Sequence, residues 1–152
     1  VLGGYNDNDE YNRIDAVMSC NGQLGERYKR VASMDYNNYG KIYDCIDVAL
    51  IPLVNNSFNA MKSPLKLLEA SAKGCSAIAS NVQPYIEFPK ETYFGVDVSD
   101  NFKGWYKAIK QMHNSHAMRE DYRMKLKEFC DMNFNAETHA ENRNQIYKHL
   151  IN

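Results

Sequence analysis

The chain has 152 residues, of which 44% are hydrophobic and 24% are charged, and its formal net charge is −1. These values are ordinary for a folded protein and exclude general disorder. They also exclude an overall basic field that would attract nucleic acid or an anionic membrane. No apolar run is long enough to span a bilayer, and no signal-peptide pattern opens the chain. We expect residues 1–152 to form one domain that does not bind nucleic acid.

The four cysteines indicate a reducing compartment and no metal centre. Cys20, Cys45, Cys75 and Cys130 are widely spaced, form no C-x-x-C pair and have no histidine nearby. This spacing matches no metal motif, and a chain of this length does not need a disulfide framework. We therefore expect free thiols, a cytoplasmic location, and neither a metal ion nor another cofactor.

The first third of the chain predicts short strands that alternate with helices. Val1–Gly4 is typical of the end of a strand that passes into a glycine turn, and residues 11–20 have apolar side chains at helical spacing. A second strand is predicted over Arg30–Met34, with a polar loop at its carboxyl end. A short helix is predicted over residues 39–46.

The centre of the chain has the clearest pattern. The continuous apolar run Val48–Leu53 is typical of a strand buried on both faces of a parallel sheet. A polar loop and a short helix follow, and the next strand is predicted over Ser76–Ser80. Ser63 is a suitable N-cap with Pro64 in the first helical position, and Gly74 supplies the stop.

The spacing of apolar residues in this central helix predicts the side that is buried. Leu65, Leu68 and Ala72 lie at positions i, i+3 and i+7, and we expect them to form the buried stripe.

The last part of the chain predicts one more strand, near residues 93–96, and then only helices. Ser99 or Asp100, Ser115 and Asn135 are suitable N-caps for three helices. Apolar side chains keep helical spacing in each of them: Phe102, Trp105, Tyr106, Ile109 and Met112; then Met118, Tyr122, Leu126 and Phe129; then Ile146, Tyr147 and Leu150. The order of elements predicts an α/β domain with a doubly wound parallel sheet and a C-terminal helical tail.

The start of the central helix is the best candidate for chemistry. A helix N-terminus that follows a buried parallel strand favours an anion such as phosphate. Lys62, Lys66 and Glu69 are spaced i, i+4 and i+7, so we expect them to share one helix face. Two interpretations stay open from spacing alone. The face is an ordinary solvated ion-pair surface, or the lysines meet phosphate charge and the carboxylate accepts hydroxyl protons from a sugar.

From about Asp35 to Glu87 the chain resembles the retaining GT-B glycosyltransferases related to glycosyltransferase family 4. Three consecutive segments carry the resemblance: Tyr39–Leu53, Phe58–Gly74 with its Lys-x-x-Glu-Ala-x-Ala-x-Gly pattern, and Ser76–Tyr85. The resemblance implies a Rossmann-like donor domain from the C-terminal half of a longer, two-domain transferase. The N-terminal acceptor domain is then missing from these 152 residues.

The resemblance also implies roles for individual residues. Glu69 corresponds to the glutamate that holds the donor ribose, and Leu65 and Lys66 to the positions whose amides meet the diphosphate. The following residues correspond to the loop beside the nucleobase: Met34, Asp35 and Tyr36. Where the family has its first glutamate, which serves the donor sugar, this chain has Met61. We expect Lys62 and Ser63 to share that task.

The implied activity is transfer of a sugar from a nucleoside-diphosphate sugar to an acceptor, with departure of the diphosphate stabilised electrostatically and without a metal. We expect this chain alone to bind the donor weakly and to transfer nothing, and any membrane contact to lie in the missing part. Two alternatives remain. One is a domain of a sugar-nucleotide epimerase, and the other is a non-catalytic flavodoxin-like binding module.

Overall fold

The computed structural model describes residues 2–5, 9–35 and 37–151, and the side chains of these except at 2–5, 101, 138 and 151. The chain divides into two compact units, Val1–Ile46 and Asp47–Asn152. Each unit is described by itself below.

The first unit contains two parallel strands and one α-helix. Its elements are β1 (Leu2–Tyr5), α1 (Asp9–Met18), a 3-10 turn at Gly25–Arg27, β2 (Arg30–Ala32) and a 3-10 helix at Tyr39–Cys45. Strands β1 and β2 pair in parallel. The side chain of Asp15 on α1 joins the helix to the second strand, since it accepts a hydrogen bond from Tyr28 Oη (2.6 Å) and pairs with Arg30 (2.9 Å).

The second unit contains a three-stranded parallel sheet and most of the helices. Its elements are β3 (Val48–Ile51), α2 (Ser57–Ala60), α3 (Leu65–Ala72), β4 (Ser76–Ser80), a 3-10 turn at Tyr85–Glu87, β5 (Phe94–Val96), a 3-10 turn at Val98–Asp100, α4 (Asn101–Asn114), α5 (His116–Asn133) and α6 (Ala136–Ile151). The strand order is β3-β4-β5, and Leu50, Ile78 and Phe94 lie side by side. This confirms the parallel sheet and the helical tail.

The core of the second unit lies around the central strand β4. All five of its residues are buried, which a central parallel strand requires because helices cover both faces. Ile78 and Val96 form a cluster with Ala108 and Met112 of α4, and Met118 and Tyr122 of α5 pack against it. Gly104 permits this close approach of α4, because a Cβ there would lie 2.9 Å from Val96 Cγ1.

The buried stripe of α3 differs from the predicted one. Leu67 and Ala70 are fully buried and Ser71 is 3% exposed, whereas Leu65 is 52% exposed. Leu68 is half-buried, and Ala72 is exposed. Helical spacing fits either stripe, and the structure buries the one with smaller side chains against β4 and α5. Ser71 Oγ lies 3.5 Å from the carbonyl oxygen of Leu126 on α5, and this hydrogen bond makes a buried serine acceptable there.

The helical tail begins its helices where the sequence predicted. Ser115 Oγ accepts a hydrogen bond from Met118 N at 3.2 Å, and Asn135 Oδ1 accepts one from Glu137 N at 2.8 Å. The α5 stripe is confirmed, since Met118, Tyr122 and Phe129 are half-buried and Leu126 is fully buried. Every described side chain of α6 is exposed. No helix in the described part of the chain is long and apolar enough to cross a membrane.

Candidate functional site

The segment that connects β3 to α3 is held by two asparagine side chains. Asn56 Oδ1 accepts a hydrogen bond from Asn59 N at 2.8 Å and so caps α2. Asn59 Nδ2 donates to the carbonyl oxygen of Val54 at 2.7 Å, and the residue is only 8% exposed. A buried amide that bonds back to the chain fixes the path of the loop between the sheet edge and α3.

Ser63 does not cap α3, contrary to the prediction. Pro64 occupies the N-cap position, and no side-chain capping hydrogen bond forms there. The ψ angle of Pro64 is 27°, which is not helical, so the helix begins one residue later than the sequence suggested. Because Pro64 O accepts from Leu67 N (2.9 Å) and Leu68 N (3.3 Å), the N–H groups of Leu65 and Lys66 precede the helix's own hydrogen bonds.

Lys66 and Glu69 form an ion pair on the exposed side of α3. Lys66 Nζ lies 2.8 Å from Glu69 Oε2, and the two side chains are 46% and 21% exposed. The contact is the ordinary i, i+3 pair that one interpretation of the spacing predicted. The contact is also compatible with the second interpretation, in which the lysine meets phosphate and the carboxylate accepts sugar hydroxyl protons. A carboxylate has acceptor sites on both oxygens, and an ammonium has three donors.

Lys62 does not share a helix face with Lys66 and Glu69, and that prediction was wrong. It lies in the turn between α2 and α3, since α2 ends at Ala60 and α3 begins at Leu65. Its Nζ lies 5.0 Å from the centre of the Phe58 ring, which is the range of a cation–π contact. Met61 beside it is 88% exposed.

Tyr85 interacts electrostatically with the Lys66–Glu69 pair, and the sequence interpretation had not singled it out. It follows β4 in the 3-10 turn Tyr85–Glu87 and is 4% exposed. Burial raises the pKa of its hydroxyl; the charge of Lys66 acts to lower this pKa, and that of Glu69 to raise it. The sequence signal that could have identified Tyr85 is its place soon after a buried strand. The residues that follow parallel strands meet at the carboxyl edge of the sheet.

A cavity of about 530 Å³ lies at the carboxyl edge of the three-stranded sheet. The segment after β3, the end of β4 and the segment after β5 line it, together with Trp105 of α4; these residues are Pro52–Asn55, Ser80 and Val96–Val98. Ser80 Oγ accepts a hydrogen bond from Leu53 N at 2.8 Å, which ties two of these segments together. The volume is in the usual range for a small-molecule site.

The residues predicted beside a nucleobase belong to the first unit. Met34 and Asp35 follow β2, and Tyr36 lies outside the described residues. The carboxylate of Asp35 accepts hydrogen bonds from Asn38 Nδ2 (2.7 Å) and Asn37 N (2.9 Å). The pKa of the Asp35 carboxyl is lowered, mainly by the hydrogen bond from the Asn38 side chain. Asp35 therefore shapes its own turn, and its role towards a base stays a prediction.

The described residues contain no cluster of three or more His, Cys, Asp or Glu side chains that could hold a metal ion. None of the four cysteines forms a disulfide within the described residues: Cys20 and Cys45 are exposed, and Cys75 and Cys130 are buried.

Comparison with known proteins supports a fold assignment. No protein-family model matches the sequence, and no curated protein is significantly similar to it. Solved structures do match. Sucrose-phosphate synthase from Thermosynechococcus elongatus aligns over 97% of this chain with a TM-score of 0.72 and 23% identity. The C-terminal domain of a glycosyl transferase group 1 family protein (LpcC) from Francisella tularensis aligns over 86% with a TM-score of 0.65 and 16% identity.

The chain spans 36% of the sucrose-phosphate synthase chain and 65% of the LpcC chain. Identities this low show the fold, and the fold agrees with the parallel sheet and the helical tail described above. The chain therefore has the Rossmann-like fold of the C-terminal domain of GT-B glycosyltransferases.

Proposed function

We propose that this chain is the donor-binding half of a glycosyltransferase that moves a sugar from a nucleoside-diphosphate sugar to an acceptor. The observation that carries the proposal is the arrangement at the start of α3. A helix N-terminus follows a parallel strand of a GT-B-like sheet, and it presents Lys66 and Glu69 one turn apart at 2.8 Å. Groups that attract an anion then lie next to a carboxylate that accepts hydrogen bonds from hydroxyl groups. This arrangement suits a diphosphate joined to a ribose.

The positive end of α3 would bind the diphosphate. The N–H groups of Leu65 and Lys66 lead the helix, and its dipole favours negative charge at this position. The ammonium of Lys66 adds a full charge within the same turn. These groups stabilise the negative charge that grows on the diphosphate as it leaves the sugar. The proposed mechanism therefore needs no metal ion and no other cofactor.

Glu69 would hold the ribose. A carboxylate accepts hydrogen bonds from two neighbouring hydroxyl groups, and such charge-assisted bonds are about twice as strong as neutral ones. Lys66 Nζ donates a hydrogen bond to Oε2 of this carboxylate at 2.8 Å.

The donor sugar is the part of the ligand for which this chain departs from the GT-B pattern. Met61, where the first glutamate is expected, is 88% exposed and has no group that accepts a hydroxyl proton well. We assign contact with the sugar to Lys62 and Ser63, which lie in the turn directly before α3. The Nζ atom of Lys62 lies 5.0 Å from the centre of the Phe58 ring.

The proposal includes the context of the full protein. The acceptor would bind to an N-terminal domain that lies outside this chain, and the enzyme would work in the cytoplasm without nucleic acid. Met34, Asp35 and Tyr36 are proposed to lie beside the base.

A nucleotide titration tests the proposal. Amide NMR shifts are followed while UDP, GDP and their sugars are added to millimolar concentration. We expect at least one of them to shift the amides of Leu65 and Lys66. Glu69→Ala should then weaken binding by about 1.5–3 kcal/mol, the contribution of a hydrogen bond to a charged group, without unfolding the chain.

Glu120→Ala is the matched control for this variant. Glu120 also forms an i, i+3 ion pair, with Arg123 on α5, so its removal costs a similar surface contact. It should leave nucleotide affinity unchanged. If no nucleoside diphosphate shifts the α3 amides, or if both variants weaken binding equally, the donor-binding proposal fails.

A further inference from the structure

Helix α4 has an exposed apolar stripe that packing within the described chain does not explain. Ala108 and Met112 are 0% and 1% exposed and join the core, with Trp105 packed against them. Phe102, Tyr106 and Ile109, at positions i, i+4 and i+7 of the same helix, are 74%, 65% and 41% exposed. An ordinary surface helix has polar residues on this side, and only its inward stripe is apolar.

A basic stripe lies beside the apolar one. Lys103, Lys107 and Lys110 share the spacing i, i+4 and i+7, and α4 contains no Asp or Glu. Helix α4 therefore carries a formal charge of +3, from three lysines and no acids, on a chain whose net charge is −1. Lys110 Nζ lies 5.8 Å from the centre of the Tyr106 ring, so the two stripes are in contact.

The acidic side chains at the start of α5, the helix packed against α4, are engaged within α5 itself. Glu120 pairs with Arg123, and Asp121 with Lys125 at 2.6 Å. Ahead of α4, Asp97 Oδ1 accepts a hydrogen bond from Asn81 Nδ2 at 2.6 Å. These carboxylates already have local partners, and the side chains of the three lysines are exposed.

We propose that these six residues, the α4 surface, bind an anionic phospholipid membrane. Phe102, Tyr106 and Ile109 would enter the boundary between headgroups and acyl chains, while the lysines meet lipid phosphates. Basic amphipathic helices with aromatic residues on the apolar face bind in such an interface. The sequence interpretation had expected any membrane contact outside this chain.

Charge complementarity selects this helix over α6, another helix with exposed apolar side chains. Ile146 and Tyr147 of α6 are 57% and 58% exposed, close to the values on α4. The charged residues of α6 cancel, because Glu137 and Glu141 balance Arg143 and Lys148. An anionic surface therefore attracts α4 and has no preference for α6, which makes α6 the internal control.

Vesicle co-sedimentation tests the proposal with the whole chain. Vesicles of phosphatidylcholine with about one-third phosphatidylglycerol are compared with vesicles of phosphatidylcholine alone. We expect binding to the anionic vesicles only, and weaker binding as salt is added. Phe102→Ser with Tyr106→Ser, and separately Lys107→Glu with Lys110→Glu, should each lower the partition coefficient by about tenfold or more.

The paired variant Ile146→Ser with Tyr147→Ser removes two apolar side chains of α6 that are each more than half exposed, and it should bind like the unmodified chain. Circular dichroism and thermal unfolding verify that each variant is folded, and all four substituted positions of α4 are exposed, so the fold should persist. A chain that stays in the supernatant with anionic vesicles would overturn the proposal and leave the surface to a protein partner. Equal losses from the α4 and α6 variants would overturn it as well.

Discussion

At the scale of single residues, burial separates side chains that the sequence treats alike. Glu69 and Glu120 each lie three residues from a cation and pair with it. They also occupy the same position, the fifth residue of α3 and of α5. Glu69 differs in that its charge acts on a buried tyrosine, Tyr85. The chemistry proposed for Glu69 therefore depends on its surroundings, which the tertiary structure supplies.

The four cysteines provide a residue-scale prediction. Cys20 and Cys45 are exposed and should react rapidly with a thiol reagent in the folded chain, whereas Cys75 and Cys130 are buried and should react only on unfolding. Burial also raises the pKa of the Cys130 thiol, which reduces its reactive thiolate further. A time course with a chromogenic disulfide, with and without denaturant, measures the two classes. Rapid reaction of all four thiols in the native chain would contradict the described core.

The same burial sets the sign of a pH effect. The folded state holds the Cys130 proton to higher pH than the unfolded state does. As pH rises through the ordinary thiol range, about 8.5, the unfolded chain loses this proton first, so the contribution of Cys130 to stability is present below that pH and declines above it.

At the scale of elements, helix α3 shows where a repeating pattern is ambiguous. Its sequence contains leucines at positions 65, 67 and 68, and a period of 3.6 residues accepts more than one stripe. The structure buries Leu67 completely and leaves Leu65 half exposed. The choice follows from contact with β4 and α5, where small residues such as Ala70 and Ser71 allow close packing.

Leu67 and Leu65 form a matched pair for a stability test. Leu67→Ala should lower the free energy of unfolding by about 2–5 kcal/mol, because it leaves a cavity in the core. Leu65→Ala should cost less than about 1 kcal/mol, since half of that side chain is already in water. Urea unfolding monitored by circular dichroism measures both values. Equal costs would contradict a core that contains Leu67 and leaves Leu65 half exposed.

Much of the fold was predictable from the sequence at this scale. The parallel strands β3 and β4 follow from two continuous apolar runs between polar loops, and Ser115 and Asn135 cap their helices as expected. The Ser63 cap failed because Pro64 takes a non-helical ψ angle. Lys62 was misplaced because the chain between α2 and α3 forms a turn where the spacing suggested a continuous helix.

At the scale of the whole molecule, the chain has the fold of one domain of larger enzymes. It spans 36% and 65% of the two solved structures described above. A GT-B transferase binds its two substrates on two domains, which is what the sequence resemblance implied. The activity of the whole protein is therefore a proposal. Experiments on this chain test only the donor-binding part of it.

The proposal predicts binding without transfer. The isolated chain, incubated with nucleoside-diphosphate sugars at millimolar concentration, should release no nucleoside diphosphate above the uncatalysed rate, even where NMR shows that the nucleotide binds. A coupled assay for the released diphosphate measures this, with the donor alone as the blank. Sugar transfer by the chain alone would show that the acceptor site lies within these 152 residues.

The sequence by itself determined the α/β order, the parallel strands around β4 and the segment on which Lys66 and Glu69 lie. These features depend on local spacing and composition, which one chain displays directly. Only the tertiary structure decided which stripe of α3 is buried, that Tyr85 is buried, and that Phe102 and Tyr106 face outwards. Those outcomes depend on which neighbouring element covers each side of a helix, and a periodic pattern does not contain that information.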